Sequence, residues 1–348
     1  MKISILLPYK ENFSPEYPGA VSLFVYETSK ISKFKKNIIV YGNTNFKKIF
    51  NLKYININTK KEVFTSQTKN YVNDFIKLEK KNNSSIIEVH NRPSYIHIID
   101  TKFKNKILTL YFHNDPLSMD GSKTIDQRKQ LLKKCYKIIF NSAWSKKRFL
   151  EGLENKFVNS NKLLIFYQSA KKGKLSLLNK KKKWITFVGK LNKAKGYDIF
   201  AKSIVKILNR YKDWKALVIG DEKREKIHLN HKNASILGFK KHNEVIDIFK
   251  KTSITVACSR WEEPFGRTSL EASANGCAVI ITNKGGLPET VTDAKILERQ
   301  SEQNLTKSIS SLVSNVKQRK NLQSKSIKNF YLTHQFVSKK IDDYRSEK

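Results

Sequence analysis

Short runs of consecutive apolar residues alternate with longer amphipathic stretches through most of the chain. Apolar runs of four to seven residues are typical of strands buried on both faces, whereas apolar residues three and four apart predict helices. Alternation of the two patterns indicates an α/β protein with parallel sheets. In the first half this predicts strands at Ile3–Leu7, Asn37–Tyr41, Ile86–His90, Lys106–Phe112 and Lys137–Asn141, and helices at Ala20–Lys30, Tyr71–Lys80, Lys123–Lys134 and Ala143–Glu151.

The same alternation continues in the second half of the chain. It predicts strands at Lys183–Gly189, Lys215–Ile219, Ile254–Cys258 and Ala278–Thr282, and helices at Asp198–Asn209, Asn243–Lys251, Ser269–Asn275 and Gln303–Lys317. Because one ordinary core does not accommodate 348 residues, two domains are expected.

Lysine-dense polar stretches at 169–174 and 179–183 predict a solvated linker between the domains. The expected domains are residues 1–170 and 171–325. The last segment, 326–348, contains Phe330, His334, Ile341 and Tyr344 at roughly helical spacing. It predicts a helix over Ser326–Tyr344 that packs back towards the first domain.

The net charge of +38 favours anionic partners, but only ten of the 68 basic residues are arginine. Proteins that bind nucleic acid usually rely on arginine or on aromatic residues between basic ones, so nucleic acid is not the expected partner. The chain begins with a short strand-like run rather than a signal peptide, and no apolar run would span a bilayer. A cytoplasmic protein is expected. The three cysteines, at 135, 258 and 277, have no metal-type spacing, and Cys258 and Cys277, which lie in apolar segments, are expected to be buried inert thiols.

The most informative segment is Ser259–Ala272, which follows a predicted strand and opens a predicted helix. The amide groups at a helix start and the helix dipole bind anions, and the carboxyl edge of a parallel sheet is where α/β folds bind ligands. Gly266 allows a ligand to approach the backbone closely. Glu263 and Glu271 suit sugar hydroxyls rather than phosphate, although a helix-start glutamate and a solvated one would explain them equally well in isolation.

The stretch SRWEEPFGRTSLEASANGCAVIITNKGGLPE resembles the signature of family-four retaining glycosyltransferases. That resemblance implies the GT-B fold, with two Rossmann-like domains whose parallel sheets face a central cleft. It implies that Glu271 binds the ribose of a nucleotide and that Glu263 contacts the donor hexose. The sugar and diphosphate would be bound by the backbone of Pro264, Phe265, Gly266, Arg267 and Thr268.

A second stretch, FVGKLNKAKG, is similar to the family's element that binds the diphosphate. By that resemblance Lys190 and Lys195 would neutralise the departing nucleotide diphosphate after Gly189, with Lys190 where arginine is usual. Gly238 and Phe239 correspond to the loop that contacts the nucleobase through backbone atoms. Since the chain has no Asp-x-Asp pair, we expect no metal ion and no cofactor.

The first half carries weaker signals. Gly19 lies where the family has a glycine-containing loop near the diphosphate. His113 follows a strand and is expected, by resemblance, to face the donor sugar, although such a histidine is more often structural. Residues expected on the acceptor side are His90, Arg92 and Asp115, with Arg92 opposite an anionic acceptor. Lysine clusters at 33–36 and 102–106 predict contact with the anionic inner face of the membrane.

The predicted function is a metal-independent hexosyltransferase that uses a nucleotide diphosphate sugar, UDP-linked in the favoured case. Retention of anomeric configuration is implied by the resemblance alone. The acceptor would be a hydroxyl of a cell-envelope glycan or glycolipid such as lipopolysaccharide. The alternatives are a sugar-nucleotide epimerase of the same fold and a basic protein that binds nucleic acid or membranes.

Overall fold

The computed structural model of the protein describes residues 1–59, 66–158 and 160–347. It divides into two compact units. Unit 1 comprises Met1–Ser169 and His334–Lys348, and unit 2 comprises Ala170–Thr333. Each unit contains a parallel sheet with helices on its faces, so the predicted α/β class is confirmed.

Unit 1 is built on a seven-stranded parallel sheet in the order β3-β2-β1-β4-β5-β6-β7. Its strands are β1 Ile3–Leu6, β2 Ile38–Gly42, β3 Tyr54–Asn56, β4 Ile86–His90, β5 Ile107–Phe112, β6 Lys137–Phe140 and β7 Leu163–Ile165. Its helices are α1 Ala20–Ser29, α2 Gln67–Asn82, α3 Pro93–Lys102, α4 Ile125–Lys134, α5 Ala143–Leu150 and, at the end of the chain, α11 His334–Ser346.

Unit 2 has a six-stranded parallel sheet in the order β10-β9-β8-β11-β12-β13. Its strands are β8 Lys182–Val188, β9 Lys215–Ile219, β10 Ala234–Ile236, β11 Thr252–Ala257, β12 Ala278–Thr282 and β13 Lys295–Leu297. Its helices are α6 Tyr197–Arg210, α7 His242–Lys251, α8 Arg267–Ala274, α9 Glu302–Ser314 and α10 Val316–Lys328.

The central strands of both sheets are buried on both faces, which explains their unbroken apolar runs. In unit 1, Ile3 and Ile5 face α1, while Leu6 and Val89 belong to the cluster on the opposite side. Each predicted strand is present to within two residues. Each sheet reverses its strand order once, between β1 and β4 in unit 1 and between β8 and β11 in unit 2. Ligands of open α/β sheets bind beyond the carboxyl ends of such strand pairs.

The structure changes the bounds of two predicted helices near the end of the chain. The helix predicted over Gln303–Lys317 ends at Ser314, because the Asn315 side chain accepts a hydrogen bond from Gln318 N and starts α10. The helix predicted over Ser326–Tyr344 is interrupted between α10 and α11. There Leu332 O accepts a hydrogen bond from Ala170 N at 3.0 Å, and Phe330 and Leu332 are buried.

The predicted solvated linker is folded onto unit 2. Gly173 N donates to Ala274 O at 2.8 Å, and Leu175–Lys180 forms a 3₁₀ turn. The Lys181 ammonium donates to the carbonyls of Phe249 and Asn275, at 2.9 and 2.7 Å, near the ends of α7 and α8. Burial lowers the pKa of Lys181. This lysine therefore caps two helices, which a charge run in the sequence does not reveal.

Helix α11 packs on unit 1, against α1 and the sheet. Val337, Ile341 and Tyr344 enter its core, and Ser338 Oγ donates to Thr28 O at 2.9 Å. Asp342 accepts from Ser32 Oγ at 2.6 Å and from Lys33 N at 2.8 Å. None of the helices in the described part of the chain is long and apolar enough to cross a membrane.

Candidate active site

The loop between β11 and α8 carries the signature segment and lies at the carboxyl edge of the unit 2 sheet. Gly266 is the N-cap of α8 and has φ +118°, a backbone conformation that side chains with a Cβ rarely adopt. No side chain caps this helix start. A Cβ on Gly266 would overlap Leu287. The positive φ therefore favours glycine here, and the first turn of α8 has the amide donors and dipole end of an anion site.

We expect Gly266→Ala to weaken UDP binding about tenfold and to lower the thermal midpoint of the protein. The substitution combines a positive φ, which costs about 1–2 kcal/mol, with the clash against Leu287. Calorimetric titration with UDP and thermal unfolding would measure the two effects. Gly152→Ala is the matched control, since Gly152 has φ +75° in unit 1. Gly152→Ala should lower the thermal midpoint and leave the affinity for UDP unchanged. An unchanged affinity for UDP in Gly266→Ala would contradict the placement of the diphosphate at the start of α8.

Glu263 is 7% exposed and lies in a polar cluster. Its Oε1 accepts hydrogen bonds from Lys195 Nζ and Ser259 Oγ, both at 2.5 Å. The Lys195 ammonium also lies 5.2 Å from the centre of the exposed Trp261 ring. The two segments that the sequence singled out in unit 2 are thus joined by an ion pair, so one predicted catalytic cation holds one predicted catalytic carboxylate.

The glycine pair at 285 and 286 packs against the backbone of Glu263. Gly286 N donates to Glu263 O at 2.7 Å, and a Cβ on Gly285 would overlap the Glu263 backbone. Gly285 also has a positive φ of 59°. The turn at 285–289 therefore makes a close backbone contact that fixes the loop carrying Glu263.

Glu271 is 5% exposed on the first turns of α8 and accepts hydrogen bonds from two side chains, Arg267 and His242. Its Oε1 lies 2.6 Å from Arg267 Nε and 2.8 Å from His242 Nε2. Burial raises the pKa of this carboxyl, but the Arg267 charge and the His242 hydrogen bond outweigh burial and lower its pKa overall. Glu271 is therefore an ionised acceptor at neutral pH. Sequence reasoning missed His242, since a single histidine at a helix start carries no pattern.

The remaining donor-side residues follow the two strands β8 and β10. Gly189 and Gly238 both have positive φ, and a Cβ built on either meets nothing within 4 Å. Open space thus adjoins the backbone at both predicted contact points. Phe239 is 46% exposed, and Lys190 is exposed beside Gly189.

Together, these unit 2 residues supply amide donors, cations and two buried carboxylates around one sheet edge. This combination can bind an anion at the helix start and hydroxyl groups at the two carboxylates. In the described residues no group of three or more histidine, cysteine, aspartate or glutamate side chains could hold a metal ion. The three cysteines are buried and free, and burial raises the pKa of each.

In unit 1, Gly19 is the N-cap of α1, but its surroundings differ from the expectation of a phosphate loop. The carboxylate of Glu11 lies over Gly19, where a Cβ would overlap it, and Glu11 Oε1 accepts from Ser22 N at 2.9 Å. An internal acid thus occupies the start of α1. Sequence reasoning missed Glu11, which stands in the loop after β1 without a motif.

Arg92 and Asp115 follow β4 and β5. Arg92 is half-buried as the N-cap of α3, and its Nη1 donates to Asn91 O at 2.7 Å. Asp115 caps the 3₁₀ turn Pro116–Ser118 by accepting from Leu117 N, and it pairs with Arg148 Nη2 at 3.1 Å. Asp115 is therefore already engaged in a structural ion pair.

His90 and His113 are brought together in the core of unit 1. His90 Nδ1 and His113 Nε2 share a hydrogen bond of 3.0 Å, and the rings are 1% and 7% exposed as residues. Among the described residues, His90 Nε2 and His113 Nδ1 have no hydrogen-bond partner. Burial lowers the pKa of His113 to about 3, and burial together with His113 lowers that of His90. The pair is neutral and packed in the core, so contact of His113 with a donor sugar stays a prediction.

The buried histidine pair should make the stability of unit 1 depend on pH. Above about pH 6.5 both imidazoles are neutral in the folded and in the unfolded protein. Below that pH the imidazoles of the unfolded chain become protonated, whereas those of the folded protein stay neutral. Stability should therefore fall as pH drops, by about 1.4 kcal/mol per pH unit for each imidazole. Urea unfolding between neutral and acidic pH would measure the slope.

The double variant His90→Asn/His113→Asn should flatten this slope even where it lowers stability at neutral pH. His228→Gln, which changes an exposed histidine, serves as the control and should keep the wild-type slope. An equal slope in the double variant and the wild type would mean that these two rings are not the neutral pair of the structure.

The lysine clusters at 33–36 and 102–106 lie at the opposite, amino edge of the unit 1 sheet, before β2 and β5. Lys33, Lys35 and Lys36 are exposed. Lys106 is turned inward, donating to Asn83 Oδ1 and Ser84 O at 2.5 Å each. The lysines at 33–36 are therefore exposed to solvent at this edge, whereas Lys106 of the second cluster forms hydrogen bonds within unit 1.

Comparison with known proteins agrees with the fold and the unit 2 signature. The sequence model of the family described as glycosyl transferases group 1 matches residues 169–329. The crystal structure of Anabaena Alr3699/HepE in complex with UDP and glucose is similar, with a TM-score of 0.79, 15% identity and 99% of each chain covered. That likeness is one of fold.

Curated relatives match parts of the chain. The spore coat protein SA of Bacillus subtilis (strain 168) is 26% identical over 242 residues, covering 62% of this chain and 64% of the relative. The lipopolysaccharide core biosynthesis mannosyltransferase LpsB of Rhizobium meliloti (strain 1021) is 32% identical over 125 residues, covering 33% of this chain and 35% of the relative. In both cases the match spans less than two thirds of the relative's own length.

The predicted resemblance is confirmed: the chain has the two-unit GT-B fold, and its residues 169–329 match the sequence model of the glycosyl transferases group 1.

Proposed function

We propose that the protein is a glycosyltransferase that moves a hexose from a nucleotide diphosphate donor to a hydroxyl of a glycan or glycolipid, with retention of anomeric configuration. The observation that carries the proposal is the arrangement at the start of α8. There an uncapped helix end follows Gly266, and two buried carboxylates, Glu263 and Glu271, flank it.

Each component of a nucleotide sugar has a matching group in unit 2. The amides after Gly266, together with Arg267 and Lys195, suit the diphosphate. The ionised Glu271, fixed by Arg267 and His242, suits the vicinal hydroxyls of a ribose. Glu263 suits a hexose hydroxyl. The backbone at Gly238 suits the nucleobase, since open space adjoins it.

A uridine nucleotide is the donor we favour. The similar Anabaena protein was solved in complex with UDP and glucose, and one similar sequence is that of a lipopolysaccharide mannosyltransferase. These facts concern those proteins. For the present chain they support a UDP-hexose as the first donor to test and a cell-envelope saccharide as the acceptor class. Contact of the exposed lysines at 33–36 with an anionic membrane stays a prediction.

In the proposed reaction the bond between the anomeric carbon and the β-phosphate oxygen breaks, and a bond from the acceptor oxygen to the same carbon forms. The acceptor proton passes to the departing phosphate oxygen, so atoms and charge balance. Lys195 and the α8 amides stabilise the negative charge that develops on the diphosphate. Preorganised donors of this kind contribute about 3–4 kcal/mol each in comparable sites. Lys190, which is exposed beside Gly189, adds a second cation but lacks the two parallel hydrogen bonds that an arginine can form to a phosphate.

The direct test is thermal shift with UDP-, GDP- and ADP-sugars, followed by NMR of the first product formed with the stabilising donor and an envelope saccharide. We expect stabilisation by a UDP-hexose and a product whose new linkage keeps the donor's anomeric configuration. An inverted anomer would refute retention. Release of a free or isomerised sugar without an acceptor would instead indicate an epimerase, and binding of none of the donors would refute the proposal.

A further inference from the structure

A pair of opposite charges lies at the carboxyl edge of the unit 1 sheet. Glu11 follows β1 and Arg92 follows β4, the two neighbouring strands at which the strand order of this sheet reverses. This is the position at which open α/β sheets receive ligands. Neither group is used by the donor-side chemistry of unit 2.

Glu11 is fixed in place but keeps acceptor capacity. Its Oε1 accepts from Ser22 N at 2.9 Å, and its carboxylate occupies the space that the missing Cβ of Gly19 leaves. Within the described residues Oε2 has no hydrogen-bond partner, although the side chain is half-buried. A carboxylate oxygen in that setting is ready to accept a hydrogen bond from a ligand.

Arg92 is the complementary donor. Its Nη1 donates to Asn91 O at 2.7 Å, and its side chain also bonds the Tyr95 hydroxyl, so Arg92 is held by neutral oxygens. The backbone before it is fixed, because Asn91 Oδ1 accepts from His113 N at 3.0 Å and from Asn114 N at 3.1 Å. The loops of the two charges are also joined, since Tyr9 N donates to Tyr95 Oη at 3.1 Å.

The local charge is balanced even though the chain carries +38. Burial raises the pKa of Glu11, while the bonds to Ser22 and the charge of Arg92 oppose that shift. The neighbouring acids are paired elsewhere, Asp115 with Arg148 and Asp120 with Lys123. Lys10 is exposed, its ammonium 5.7 Å from the Tyr9 ring centre, so solvent screens it.

We propose that Glu11 and Arg92 form a subsite for the hydroxyl groups of a neutral sugar, and that Glu11 selects against acidic sugars there. A sugar hydroxyl both donates and accepts hydrogen bonds, so a ligand rich in hydroxyls suits an acceptor such as Glu11 Oε2 and a donor such as the Arg92 guanidinium. An isolated arginine would favour an anionic acceptor, as the sequence suggested. The adjacent carboxylate, which the sequence did not reveal, removes that preference. Identification of this sugar as the acceptor rests on the proposed function.

The test compares three probes on the full chain by saturation-transfer NMR at physiological ionic strength: methyl glucoside, glucuronic acid and glucose 6-phosphate. The wild type should bind methyl glucoside in preference to both acids. Glu11→Gln should reverse the order, with affinity for the acids rising about tenfold, because Arg92 then faces the ligand without its counter-charge. Arg92→Gln should weaken binding of methyl glucoside.

Glu16→Gln is the matched control, since it removes the same charge from the same loop without touching Gly19 or Ser22 through its side chain. It should keep the wild-type order of affinities. A wild type that prefers acids, an unchanged order in Glu11→Gln, or binding of no sugar at all would overturn the proposal.

UDP binding, measured in the same variants, separates this inference from the proposed function. Glu11 and Arg92 lie in unit 1, so UDP affinity in unit 2 should be unchanged in each variant. Failure of every variant and the wild type to bind UDP, with the reversal by Glu11→Gln still present, would refute the glycosyltransferase proposal and leave the neutral sugar subsite standing.

Discussion

Glu271→Gln is expected to weaken UDP binding at least about 30-fold, which corresponds to about 2 kcal/mol. The amide keeps the size of the side chain but loses the charge that accepts from Arg267 at 2.6 Å and from His242 at 2.8 Å. The loss should act on binding in two ways. The ribose hydroxyls lose a charged acceptor, and the Arg267 guanidinium loses the partner that fixes it beside the helix start. Calorimetric titration with UDP measures the affinity directly.

Stability and binding must be separated in this experiment, since Glu271 is buried and its ion pairs also contribute to folding. Glu271→Asp keeps the charge on a shorter side chain and should lose less affinity than Glu271→Gln at similar stability. Glu298→Gln, which changes an exposed acid of unit 2 after β13, should bind UDP like the wild type. If Glu271→Gln bound UDP within threefold of the wild type, the ribose would have to lie elsewhere.

How much of the site the sequence could predict depends on the kind of feature. The loop and helix around Gly266 were predictable, because glycine spacing, a preceding apolar strand and the acid pair are all local in sequence. The ion pair between Lys195 and Glu263 was not, because it joins residues 68 apart in the chain. His242 and Glu11 were missed for the same reason, since each acts through a partner on a different element.

The fold shows the same division. The long central strands were predictable from their apolar runs, whereas the three-residue edge strands β3, β7, β10 and β13 are too short to give a period. Helix α3 was missed although Pro93 at its first position is a recognised start signal. The role of Lys181 was hidden because a lysine that caps two helices looks, in sequence, like any other residue of a charge run.

A second large effect, on the stability of unit 1, is expected from the ion pair that attaches α11 to the sheet. Arg345 and Glu88 are 3% and 1% exposed and form a two-pronged ion pair, with Nε to Oε1 at 2.8 Å and Nη2 to Oε2 at 2.7 Å. Glu88 lies on β4 in the middle of the unit 1 sheet, and Arg345 lies near the end of the chain. Sequence reasoning expected a terminal helix from its apolar residues but gave no sign of this pair, because a central strand rarely carries a buried acid.

Arg345→Met is expected to destabilise unit 1 by about 3–5 kcal/mol, because it leaves the Glu88 carboxylate buried without its counter-charge. Glu88→Leu should cost less, because the Arg345 guanidinium keeps Asp342 Oδ1 at 3.5 Å as a second counter-charge. The double variant Glu88→Leu/Arg345→Met should be clearly more stable than either single one, since replacing both charges by apolar groups removes the uncompensated charge. Urea unfolding followed by tryptophan fluorescence would report the three changes, with the exposed Lys339→Met as the control for substitution on α11. Additive losses in the double variant would show that the two side chains act independently, which is incompatible with α11 being fastened to the sheet through this pair.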